Sequence, residues 1–207
     1  MFSSIEILKK NVVRVVMALM LVSIALACEV DDPAKEDAPE LVTQVTLTFT
    51  PTSGEGGIIV TATDPDGEGV QDIQVDTPIK LKSSQRYVLT ITLLNGLIDA
   101  SEPGYNITDE VEEEGDEHMF FFAWTNNIFN DPPGDGNADS RADAVNYVDE
   151  DVNGLPLGLE TSWTAANVSE GNLRIILKHQ PDLKSATSDA NMGETDLDII
   201  FPVEVLE

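Results

Sequence analysis

From Leu41 onward, apolar and polar residues alternate in short runs punctuated by Gly, Pro, Asn and Asp. LVTQVTLTFT (41–50) sets Val45, Leu47 and Phe49 on one face and Thr46, Thr48 and Thr50 on the other. That two-residue period is the mark of a half-buried strand. GIIVTAT (57–63), the short PIKLK (78–82) and the β-branched YVLTITLL (87–94) continue the pattern, and Asn95-Gly96 ends the last of these in a turn pair. HMFFFAW (118–124) is an unbroken apolar run, as expected of a central strand. NLRIILKH (172–179) opposes Leu173, Ile175 and Leu177 to Arg174 and Lys178. TDLDIIFPVEV (195–205) turns Leu197, Ile199, Phe201, Val203 and Val205 inward. Pro202 has no N–H to donate, so this strand is expected to lie at a sheet edge or to contain a bulge. One short helix is expected over Asp109–Glu114, with Asp109 as its cap, Glu112 at N3 and Gly115 as its stop. Short strands separated by turn signals predict an all-β fold, a single antiparallel, immunoglobulin-like β-sandwich.

The N-terminus follows a different pattern. Lys9, Lys10 and Arg14 precede an apolar run from Val15 to Ala27, broken only by Ser23. As a helix this run rises roughly 20 Å, short of the ~30 Å hydrocarbon core, and it matches a signal-peptide h-region. Ala25, Leu26 and Ala27 stand directly before Cys28. This stretch resembles the lipobox of bacterial lipoproteins, in which the Cys is lipidated and becomes the first mature residue. It departs from that motif at Ala25, where Leu is usual. EVDDPAKEDAPE (29–40) reads as an acidic, Pro-containing tether. Its acids so close to the Cys resemble the surface-export signal of Bacteroidota lipoproteins. The expected organisation is a signal peptide (1–27), a lipidated Cys28 with its tether (28–40) and a β-sandwich domain (41–207), anchored at the outer membrane and facing outward.

Charge narrows the partners. Eleven Lys plus Arg stand against 38 Asp plus Glu, a net charge of −27. Nucleic-acid binding needs clustered cations and is excluded on this balance; peripheral adsorption to an anionic leaflet is disfavoured for the same reason. The single Cys cannot form an internal disulfide. A chain that is 42% hydrophobic is not a disordered acidic tail.

Candidate chemistry lies in the acid-rich loops. DEDVNGLPLGLE (149–160) fits the twelve-residue calcium-loop pattern. Asp149, Asp151 and Asn153 would offer side-chain oxygens, Leu155 a carbonyl and Glu160 a bidentate carboxylate, as a hard cation requires. Pro156 and the lack of flanking helices weaken the match, and an acidic turn between strands explains the same residues. DPPGDGNADSRAD (131–143) spaces Asp135, Asn137, Asp139 and Asp143 as a second calcium candidate, and DPDGEGVQD (64–72) is a third acidic loop. DEVEEEGDEH (109–118) crowds carboxylates beside His118. With Glu114, Glu117 and His179 it forms a transition-metal candidate, because imidazole and carboxylate together suit such ions. The competing readings are a solvated acidic loop and a structural, hydrogen-bonded His179. No G-x-S-x-G, H-E-x-x-H, Cys–His pair or phosphate loop occurs, so no enzyme is expected.

Four stretches together resemble a group of Bacteroidota outer-membrane lipoproteins of roughly this length: ITDEVEEEGDEH (107–118), NGLPLG (153–158), LRIILKHQP (173–181) and GETDLDIIFPV (193–203). The resemblance implies no catalytic residues, and a role beside a TonB-dependent transporter. The leading expectation is a non-enzymatic surface lipoprotein that binds a ligand or partner in nutrient or metal-ion uptake. The alternatives are a calcium-stabilised adhesion or structural module and, behind it, a carbohydrate-active enzyme using two carboxylates.

Overall fold

A computed structural model describes residues 40–207 apart from residue 55 and residues 68–72. The signal, Cys28 and nearly all of the tether lie outside the described residues. The alternating runs form strands where the pattern places them: β1 (Gln44–Pro51), β2 (Ile58–Thr63), β4 (Ile79–Lys82), β5 (Arg86–Leu94), β6 (His118–Trp124), β9 (Ser169–His179) and β10 (Glu194–Leu206). Three strands were not anticipated: β3 (Gln74–Val75), β7 (Phe129–Asp131) and β8 (Glu160–Ala165). The helix α1 spans Ile107–Glu113, two residues earlier than expected. Asn106 is its N-cap and Asp109 sits in its first turn, where a carboxylate complements the helix dipole. Ile107 and Val111 bury one side of this short helix.

The strands make two sheets, with orders β3-β2-β1-β5-β8-β7 and β4-β10-β9-β6. One core joins their inner faces, including Leu47, Leu89 and Trp163 from the first sheet and Phe122, Leu177 and Ile199 from the second. Trp163 centres the contact, with its ring 5.4 Å from Phe122 and 5.3 Å from Trp124, both edge-on. The architecture is the expected all-β sandwich. Its second sheet is mixed, however, because β4 runs parallel to β10.

β6 does not take the central place expected of it, and of the two outcomes expected for β10, an edge or a bulge, the strand shows a bulge, between Thr195 and Leu197. β10, with Pro202, lies inside its sheet, between β4 and β9. The β4 ladder begins only at Val203, one residue past the proline. β6, the apolar run, is an edge. Segment 131–158 covers that edge in place of a strand. Trp124 N–H donates to the Asp135 carbonyl (2.8 Å) and Phe120 N–H to the Leu157 carbonyl (2.8 Å). Phe122 N–H donates to Asn137 Oδ1 (3.1 Å), and the Tyr147 hydroxyl donates to the Phe120 carbonyl (2.6 Å). The edge is thereby closed to other chains. Gly136 makes the cover possible: its φ is +101°, and a Cβ there would collide with the Phe122 carbonyl. No helix among the described residues is long and apolar enough to cross a membrane.

Candidate metal centre

His118 opens β6 and His179 closes β9, and the two are cross-strand partners. By strand alternation both fall on the core-facing side, His118 with Phe120 and Phe122, His179 with Leu177 and Ile175. Both are buried. Their rings stack with centroids 4.6 Å apart and planes 7° from parallel. The turn after α1 brings a carboxylate back onto the pair. Glu117 and His118 N–H groups both donate to the Glu114 carbonyl (2.8 and 3.2 Å), and His118 Nδ1 lies 3.1 Å from the same oxygen. A neutral His118 donating from Nδ1 carries its lone pair on Nε2, the usual arrangement for a metal-binding imidazole. The donor atoms of Glu114, His118 and His179 all lie within 4.8 Å of one another. Glu117 Oε2 is 3.3 Å from His179 Nε2. The neighbours Glu114, Glu117 and His118 thus meet His179, 62 residues beyond Glu117, at one end of the sandwich, bringing together the transition-metal candidates.

Two further acids belong to this end. Asp196 of β10 places Oδ2 3.7 Å from His118 Nε2, with both side chains fully shielded from solvent. Burial pushes its carboxyl up from 3.8 to about 6, although His179, the Glu40 backbone and Lys178 pull it down. Glu40, at the start of the described chain, rises from 4.5 to about 7 through burial and then through the charges of Glu110, Asp196 and Glu114. A cation is the natural relief for carboxylates held this close. Lys178 is not that cation; its ammonium donates to Thr195 Oγ1 at 2.7 Å.

The calcium candidates are arranged otherwise. Asp149 accepts from the Gly158 and Glu160 N–H groups (2.8 and 3.0 Å). Asp151 Oδ1 accepts from Asn153 and Leu155 N–H (2.8 and 2.9 Å). Asp151 Oδ2 meets Lys184 Nζ at 2.9 Å, both side chains fully buried, and Lys184 also donates to the Gly115 carbonyl (2.6 Å). Burial raises the Asp151 carboxyl, but Lys184 and the backbone donors outweigh it and hold it below the usual range. Two carboxylates of the calcium pattern therefore organise a turn, and a lysine ammonium supplies the positive charge. Asn153 is exposed, and Glu160 begins β8. In the second candidate, Asn137 is fully buried and hydrogen-bonded to Phe122 and Tyr147, whereas Asp135, Asp139 and Asp143 are exposed. In the third loop, Asp64 Oδ1 accepts from Asp66 and Gly67 N–H; Glu68 and Asp72 lie outside the described residues.

Sequence reasoning names the two histidines and the acids beside His118, but not Asp196 or Glu40. Strict alternation along β10 puts Asp196 on the outer face with Asp198. Its one sequence signal is its place directly before Leu197, near the start of β10. No family model, curated protein or solved structure matches the chain.

Proposed function

We propose that the chain is a non-enzymatic, lipid-anchored outer-membrane protein whose β domain binds a divalent d-block ion, in support of metal-ion uptake beside a TonB-dependent transporter. One observation carries this reading: Glu114, His118 and His179 converge in a buried, acid-rimmed end of the sandwich. Two imidazoles with carboxylates favour zinc-like ions over calcium or magnesium, which prefer all-oxygen shells. The nearly parallel rings cannot aim both lone pairs at one ion as they stand, so binding turns at least one ring out of the stack.

The full-length protein titrated with zinc against a chromophoric chelator should bind one equivalent, and His118→Ala should abolish binding while keeping the far-UV spectrum of the wild type. Absence of zinc, nickel and cobalt binding by the wild type would end the metal reading. The anchor is tested separately. Labelled palmitate should enter the wild type and not Cys28→Ala; equal labelling of both would sink the lipoprotein assignment.

A further inference from the structure

β10 pairs with β9 regularly except at one point. Thr195 faces Lys178 and Leu197 faces Leu177, which are consecutive in β9, so Asp196 is an extra residue in β10. It is the inserted residue of a β-bulge, a device that re-aims a side chain and often sits beside functional sites. The strand keeps its core face beyond the bulge, with Leu197, Ile199 and Phe201 buried. The carboxylate of Asp196 is meanwhile fully shielded from solvent.

Among the described residues neither carboxylate oxygen of Asp196 meets a partner in full hydrogen-bond geometry, the Glu40 backbone N–H being near enough only to pull its carboxyl down in part. A buried carboxylate in that condition is expensive, and native structures rarely keep one without a reason. Its Oδ2 stands 3.7 Å from His118 Nε2. That separation is long for a hydrogen bond. It is close to the spacing of two donors on one tetrahedral ion, which bonds of about 2.0–2.1 Å set at roughly 3.3 Å.

Resting on the metal reading above, we propose that Asp196 is a ligand of the ion, delivered by the bulge to join His118, His179 and Glu114 in a set of two imidazoles and two carboxylates. Two carboxylates neutralise the dication, so the loaded centre adds no net charge to the buried end of the sandwich. The bulge is then part of the binding site and not an irregularity of packing.

Asp196→Asn preserves shape and removes the charge. In the full-length protein it should weaken zinc binding on the order of 100-fold or more, at least the loss seen when outer-shell groups are removed, with stoichiometry unchanged. Cobalt(II) provides a measurement that needs no variant. The loaded wild type should show the intense visible bands of a four-coordinate site, and X-ray absorption should fit four nitrogen or oxygen neighbours with the outer-shell scattering of two imidazoles. Equal zinc affinity in Asp196→Asn and wild type, or cobalt(II) bands identical in the two proteins, would remove Asp196 from the shell and leave the metal reading standing. Failure of the wild type to bind either ion would remove both.

Discussion

Asp196 ties stability to function at the scale of one side chain. Its carboxyl titrates near 6 in the folded chain against 3.8 for the ordinary group. Between those values the folded state holds more protons than the unfolded one, so metal-free stability falls as pH rises from about 4 through 6. Above that window the protein carries the full penalty of a buried charge. Asp196→Asn should therefore stabilise the metal-free protein at pH 7.5 by about 3 kcal/mol, or ~10 °C in a melt with EDTA. The gain should vanish near pH 4, and an unchanged melting temperature at pH 7.5 would contradict the buried charge. Lys184 is the opposite case. Burial lowers its ammonium, and Asp151 only partly restores it. Lys184→Met leaves Asp151 unpaired and should cost about 3–5 kcal/mol. Adding Asp151→Asn, which keeps an acceptor for the Asn153 and Leu155 amides, should recover more than half of that loss in denaturant midpoint.

Among the elements, strands with long alternation were legible from sequence, because burial of one face dictates the period. β8 was not. Its six residues, ETSWTA, begin with the Glu that closes the calcium pattern, and only Thr161, Trp163 and Ala165 carry the buried face. The edge place of β6 was also hidden. An apolar run reads as central whether a strand or a loop covers it, and the cover here is segment 131–158. The two histidines were legible as ends of strands, but their pairing is a matter of register. Asp196 was illegible because a bulge breaks the very alternation used to place it. The cover on β6 can be tested through its close contact. Gly136→Ala collides with the Phe122 carbonyl and strains a positive φ, worth roughly 1–3 kcal/mol for the strain alone. Hydrogen exchange should then quicken at the Phe122, Trp124 and Ala138 amides while β1 and β5 stay protected. Unchanged protection at those three amides would show that the loop does not depend on the glycine.

At the scale of the whole molecule, the charge of −27 divides into acids with different duties. Some shape turns, as Asp64, Asp149 and Asp151 do. Among the other described acids some crowd the His118 end and some pair with cations, as Asp131 does with Arg86 and Asp198 with Arg174. Calcium at millimolar concentration should leave the melting temperature within what matched ionic strength produces, whereas equimolar zinc should raise it and EDTA reverse the rise. A calcium-specific rise would return the cation to the 149–160 loop. The bulge in β10 carries one more consequence, this one in the gene. Loss of a single codon, that of Asp196, would leave Thr195 and Leu197 adjacent and paired with Lys178 and Leu177, a regular ladder with every core residue still in place. A lineage could thus shed the acidic ligand by one in-frame deletion and keep its sandwich, so relatives with and without the capacity to hold an ion could differ by one residue in length.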